Sequence, residues 1–185
     1  MDLDQVETKL CRRFSLQFNE ISRHSQSAAV LIILFRQFGK TQMLMIKRSM
    51  SLKVHRGEIA FPGGLVEEED ENFLQTALRE TNEEIGLEVS PDRIIACLSP
   101  VKTLTGFEVL PFIAVLDSVP DCMETFNEDE VEEVLFLPFL KVLSTQQRDV
   151  GHPLKDEMFV YWHMHHRIWG ASAKMIFQIV EAVFK

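Results

Sequence analysis

The stretch Gly64-Leu65-Val66-Glu67-Glu68-Glu69-Asp70-Glu71-Asn72-Phe73-Leu74-Gln75-Thr76-Ala77-Leu78-Arg79-Glu80-Thr81-Asn82-Glu83-Glu84-Ile85-Gly86-Leu87 joins a glycine, an acidic loop and a helix with its carboxylates on one side. Residues 71–85 are rich in helix formers and free of proline, and Gly86 is placed to end the helix in the left-handed region. At about 100° per residue, Glu84 lies about 40° to one side of Glu80 and Glu83 about 60° to the other. Leu74, Leu78, Thr81 and Ile85 fall in a separate arc, predicted as the stripe that enters the core. Like charges at these spacings repel by about 0.2–0.5 kcal/mol per pair on an exposed helix. One alternative is a solvated acidic face. The other is a set of hard oxygen ligands for Mg2+ or Mn2+, whose charge turns the repulsion into attraction.

The neighbouring residues favour the metal. Phe61-Pro62-Gly63-Gly64 puts two glycines just ahead of the helix, where backbone must approach another group closely. The Gly64 carbonyl offers a further oxygen to a cation. Arg79 stands beside Glu80 and can orient a carboxylate through its planar fork. Upstream, Arg48, Lys53, His55 and Arg56 form a cationic loop in an otherwise acidic chain. Downstream, Glu128, Asp129, Glu130, Glu132 and Glu133 precede an apolar run at 134–137.

Further out, residues 5–22 carry Val6, Leu10, Phe14, Phe18 and Ile21 at helical spacing, and an amphipathic helix is predicted there. Apolar runs at 28–35 and 43–47 predict two strands joined by a hairpin loop over 36–41. A short strand at 59–61 is predicted to stop at Pro62-Gly63-Gly64. Strands follow at 94–98, 109–116, 134–137 and 158–162, with a short helix to Leu143 and a last helix over 171–184. That order suits an α/β fold, a mixed sheet with helices on its faces. Residues 1–25 are read as an N-terminal helix packing on a single domain of residues 26–185. The same helix would equally suit a homodimer contact.

The chain has 185 residues and a net charge of −9, with 19 basic and 28 acidic residues. No basic stripe marks a nucleic-acid binder. No apolar run is long enough to span a bilayer, and the acidic start Met1-Asp2-Leu3-Asp4 is unlike a targeting segment, so a cytoplasmic protein is expected. Cys11, Cys97 and Cys122 are far apart and odd in number, which points to reduced thiols. His163, His165 and His166 lack a second cluster to complete a zinc site and are read as sheet-face or surface residues. Trp162 and Trp169 suit either the core or the lining of an adenine pocket, with core the favoured reading.

The quoted stretch resembles the Nudix box, G-x5-E-x7-R-E-U-x-E-E-x-G-U with U aliphatic. Thr81 replaces one U, and six residues rather than five separate Gly64 from Glu71. The extra residue is similar to that of the coenzyme A pyrophosphatase subfamily. So is the preceding segment, with Met45-Ile46-Lys47-Arg48-Ser49, Lys53, Gly57 and Phe61-Pro62-Gly63-Gly64 matching L-L-T-x-R-[SA]-x3-R-x3-G-x3-F-P-G-G. Lys53 stands in place of an arginine. The tail Arg167-Ile168-Trp169-Gly170-Ala171-Ser172-Ala173 also resembles that subfamily, and the likeness runs from about residue 28 to 184.

The resemblance implies a Nudix-type α/β/α sandwich and metal-dependent hydrolysis of coenzyme A or its thioesters. The products would be 3′,5′-ADP and 4′-phosphopantetheine or its acylated form. It implies Glu80 and Glu84 as the primary ligands of Mg2+ or Mn2+, with Glu83 third or acting through water. Arg79 would orient the set, and Glu71 would support it at the loop–helix junction. Glu130 best fits the further acid that such enzymes recruit from a distant loop as ligand or base. Arg48, Lys53, His55 and Arg56 would seat the diphosphate and 3′-phosphate of a small-molecule substrate. ADP-ribose or an oxidised dNTP is the rival substrate. A non-catalytic nucleotide-binding module is the rival class, although it generally lacks one of the helix carboxylates present here.

Overall fold

The computed structural model describes residues 1–16, 24–120, 126–150 and 158–185. It opens with α1 (Leu3–Arg13), whose first turn is closed by a reciprocal bond set between Asp2 and Gln5. β1 (Ser27–Gln37) and β2 (Lys40–Arg48) form an antiparallel hairpin. Its two turn residues, Phe38 and Gly39, have φ of 50° and 71°. Positive φ at both central positions matches the twist of the flanking strands, so pairing extends to Gln37 and Lys40, inside the predicted loop.

β3 (Ile59–Ala60) and β4 (Gly63–Leu65) lead to α2 (Phe73–Ile85). β5 (Ile94–Cys97), β6 (Val101–Lys102), β7 (Glu108–Leu116) and β8 (Val131–Pro138) follow, then α3 (Phe139–Leu143). β9 (Gln147–Arg148), β10 (Phe159–His163), β11 (His166–Ile168) and α4 (Gly170–Phe184) complete the described chain. The main sheet runs β3-β2-β1-β7-β5, with β4 also on β1, β6 on β7 and β8 on β2. β1 and β7 are parallel and the other pairs antiparallel, so the sheet is mixed. A small second sheet is ordered β11-β10-β9.

β1 is buried on both faces. Leu31, Ile33 and Phe35 enter one core layer with Phe73, Ala77 and Ile85 of α2. Ile32 and Leu34 enter the opposite layer with Leu3, Val6 and Leu10 of α1 and Met175, Ile176 and Ile179 of α4. Alternation along one apolar strand thus builds both sides of an α/β/α sandwich. Each such fully buried aliphatic side chain contributes about 1.5–3 kcal/mol.

Three expectations are corrected. α1 ends at Arg13 rather than running on from residue 5 to 22, because Phe14 turns to extended backbone and the Ser15 carbonyl accepts a bond from the Cys97 N–H at the end of β5. Phe18 and Ile21 lie outside the described residues. The predicted 59–61 strand ends at Ala60, and Gly63 and Gly64 beyond it are not a plain turn but form a second strand, β4, laid against Val30 and Ala29. β8 begins at Val131, whose buried side chain joins the α2 layer. Cys11 and Cys97 are free thiols, exposed and buried respectively, and Cys122 lies outside the described residues.

Candidate active site

α2 starts at Asn72, whose side chain accepts from the Gln75 N–H, and ends at Gly86 with φ 65°. Its buried residues are Phe73, Thr76, Ala77, Thr81, Glu84 and Ile85, while Leu74 and Leu78 are only half-buried. The buried arc is therefore wider than predicted and turned toward the carboxylates. Near the C-terminal end of the helix it includes Glu84, which is 1% exposed.

Arg79 is the hub. Its Nε and Nη2 donate to the two oxygens of Asp70, each at 3.0 Å. Its Nη1 donates to Glu83 at 2.9 Å and to Glu80 at 3.1 Å, and Nη2 also reaches the Leu65 carbonyl at 3.2 Å. Asp70 is buried and also accepts from the Glu67 N–H and the Thr76 hydroxyl. Burial pushes the Asp70 carboxyl up, but the Arg79 guanidinium, the Glu67 N–H and the Thr76 hydroxyl overcome it and hold the group at about 2. The same bond to Asp70, with the charge of Glu80, raises Arg79. Asp70, not Glu71, is thus the side chain that fixes the arginine. Glu71 is exposed, and among the described residues only its N–H is engaged, by the Gln75 side chain. One signal in the sequence could have found it: five residues, 65–69, separate Gly64 from Asp70, so the insertion can be placed after the acid rather than before it.

The glycine pair works as a shelf for two carboxylates. The Gly63 N–H donates to Glu84 Oε2 at 2.9 Å. Gly63 has φ 145°, and a Cβ there would lie 2.3 Å from the Ala29 carbonyl oxygen. At Gly64 a Cβ would fall 2.3 Å from the Glu80 carboxyl carbon, so the Glu80 head group rests directly on glycine backbone. Glu84 Oε1 lies 3.3 Å from Arg48 Nη1, and the Nε of that arginine is buried without a hydrogen-bond partner among the described residues.

Burial lifts Glu84 to about 7, with repulsion from Glu80 and Glu130 adding to it and the Gly63 and Arg48 bonds opposing it. Burial likewise raises Glu80, against Arg79 and together with Glu83 and Glu130. Glu130 stands in this field because its loop is tied to α2. The Asn127 N–H donates to the Glu84 carbonyl at 2.8 Å, and Glu130's own carbonyl accepts from the Ser49 N–H at 2.8 Å. Glu130 is half-buried and accepts from the Asn127 side chain.

These buried, mutually repelling carboxylates have the chemistry of a hard divalent cation site, which would reverse their repulsion. The fit lies in the donor set. Glu80 and Glu83 are turned to Arg79, and Glu84 to Arg48 and Gly63. Among the described residues, no three His, Cys, Asp or Glu side chains are gathered at ligating distance around one point.

The four basic residues are not brought together. Arg48 points at Glu84. Lys53 is exposed, and His55, at φ 57°, has its Nδ1 3.2 Å from a Glu58 carboxylate oxygen. Arg56 lines a separate cleft beside β11. Trp162 and Trp169 are half-buried rather than core, and Arg167 lies over the Trp169 ring.

The NUDIX domain family matches residues 25–162. The chain is 33% identical over 174 residues to an uncharacterized Nudix hydrolase NudL of Escherichia fergusonii, covering 89% of this chain and 88% of that one. A NudL of Cronobacter sakazakii is equally similar, with the same coverage. The chain belongs to the Nudix hydrolase family. Among solved structures, a MutT/nudix family protein from Enterococcus faecalis superposes with a TM-score of 0.56 at 14% identity, covering 100% of this chain and 81% of that one. The NUDIX domain of Shewanella oneidensis NrtR, solved with ADP ribose, gives 0.56 at 16% identity, covering 90% and 94%. These two establish the sandwich fold. Among the described residues no helix is long and apolar enough to cross a membrane.

Proposed function

We propose that this chain hydrolyses the diphosphate linkage of coenzyme A or an acyl-CoA to 3′,5′-ADP and 4′-phosphopantetheine or its acylated form. The observation that carries the proposal is the buried Glu84 carboxylate. It is held between the Gly63 N–H and Arg48 and pressed by Glu80 and Glu130. Such a group suits cation and diphosphate better than solvent.

Glu80 and Glu84, with Glu83 and the Gly64 carbonyl beside them, would hold Mg2+ or Mn2+. A cation held there would supply the positive charge that neutralises the diphosphate and its developing charge. Arg79, clamped by Asp70, sets the direction of Glu80 and Glu83. Glu130 receives the proton of the attacking water, whose oxygen bonds to phosphorus as the bridging oxygen departs. Arg48, whose Nη1 reaches Glu84 at 3.3 Å, adds positive charge beside the diphosphate. The 45–64 signature, which ends on the Gly63–Gly64 shelf, supports coenzyme A over other nucleoside diphosphate derivatives.

Purified protein is incubated with coenzyme A, ADP-ribose, NADH and 8-oxo-dGTP in Mg2+ or Mn2+, and the products are resolved by chromatography. Adenosine 3′,5′-bisphosphate released from coenzyme A is the expected result. Efficient cleavage of ADP-ribose with coenzyme A untouched overturns the substrate, and no cleavage of any compound favours a binding module.

A further inference from the structure

We propose that the cleft between the 56–59 segment and β11 is a second phosphate site, taking a phosphate monoester on the ribose of the substrate whose diphosphate lies at the carboxylates. This deepens the coenzyme A reading and rests on it.

Lys47 and Arg48 are neighbours on β2, so their side chains leave opposite faces of the sheet. Arg48 reaches Glu84, and Lys47 lines a cleft of about 270 Å³ on the other face. The backbone joins the two sides. The Gly57 N–H donates to the Arg48 carbonyl and the Arg48 N–H to the Glu58 carbonyl, each at 2.9 Å. From Ile59 in the cleft wall to Gly63 under Glu84 is four residues, at most about 14 Å of extended chain. Two arginine side chains with a ribose between them close such a span.

The cleft has the chemistry of an anion site. Lys47 is paired with Glu132 at 2.6 Å and Arg167 with Asp149 at 3.0 Å. Arg56 has no carboxylate partner among the described residues, which leaves positive charge in the cleft of an acidic protein. The Glu58 carboxylate in the wall is turned to His55. His166, only 9% exposed, has its ring centroid 4.0 Å from that of the tilted His165 ring, and its imidazole has no hydrogen-bond partner among the described residues. In either protonation state it offers an N–H. α4 starts behind Trp169, another cleft residue, and no side chain of the described residues caps its first turn, so its positive end is also near. A phosphate monoester uses all three donors. A bare ribose leaves Arg56 and His166 unpaired, which is the basis for discrimination.

The test is equilibrium binding of adenosine 3′,5′-bisphosphate, AMP and inorganic phosphate to the full chain, by calorimetry and tryptophan fluorescence. The bisphosphate is expected to bind at least about tenfold more tightly than AMP. Arg56→Ala brings that ratio close to one, and His166→Gln reduces it. The His166 ring resonances shift with the bisphosphate and not with AMP. Equal affinity for the two nucleotides overturns the site, as does a preference that survives Arg56→Ala. So does inorganic phosphate binding as tightly as the bisphosphate. Arg56 is exposed, so its replacement reports even if His166→Gln does not fold. If the bisphosphate preference holds and coenzyme A is not cleaved, the substrate reading falls and the second phosphate site stands. If coenzyme A is cleaved without that preference, the reverse holds.

Discussion

Asp70 and Arg79 face each other through two parallel bonds of 3.0 Å, nine residues apart in sequence, the carboxylate buried and the arginine half-buried. The pair ties the acidic loop to the middle of α2 and leaves one guanidinium nitrogen for Glu80 and Glu83. Asp70→Asn is expected to destabilise the protein by about 2–3 kcal/mol, as loss of charge-assisted bonds does. Its carboxyl is lowered from 3.8 to about 2. A depressed acid stabilises the fold above its ordinary value and loses that effect as pH falls through the folded one. Urea denaturation should therefore show the full gap between wild type and variant near pH 6, narrowing below pH 4. A constant gap across that range would remove the ion pair as its cause.

Glu84→Gln keeps an oxygen for the Gly63 N–H and removes a buried charge. Folding stability should hold or rise, while kcat falls by roughly 10²–10³-fold. Melting curves beside steady-state rates test this. Near-normal turnover would show that Glu84 has no part in catalysis.

The two shelf glycines should fail differently. Gly64→Ala has ordinary backbone angles but drives its methyl into the Glu80 carboxylate, so activity and Mn2+ affinity should drop while the melting temperature barely moves. Gly63→Ala meets Ala29 backbone at a φ of 145° and should cost about 1–3 kcal/mol of stability. Thermal denaturation and Mn2+ titration of both variants separate the outcomes.

Glu130→Gln is expected to lower kcat by about 10²–10⁴-fold and leave KM nearly unchanged, as removal of a general base does. A change confined to KM would make Glu130 a substrate contact instead.

The hairpin, α2 and the carboxylates of its last turns were legible because each depends on local pattern. These were an apolar run broken at Phe38-Gly39, a capped helix, and acids at three- and four-residue spacing. Asp70 was missed because its burial depends on how loop 66–72 folds over Arg79 and Thr76, which no periodicity records. The interior position of Glu84 is not legible from the stripe Leu74, Leu78, Thr81 and Ile85, because Phe73, Thr76 and Ala77, rather than Leu74 and Leu78, are the fully buried residues on the sheet side of α2. The basic residues read as one loop in sequence, yet Arg48 ends β2 with its side chain on Glu84, whereas Lys53, His55 and Arg56 stand in the turns beyond the strand. The cleft beside β11 joins residues 47, 56, 166 and 169, too far apart in the chain for any spacing to show it.

The bond from the Asn127 N–H to the Glu84 carbonyl has a mechanical consequence. The segment that carries Glu130 is coupled to the last turn of α2, so a tilt of that turn takes the proposed base along with the acids. Their separation is then preserved through thermal breathing, and lengthening the chain just before Asn127 should disturb the reaction less than any insertion between Asn127 and Glu130.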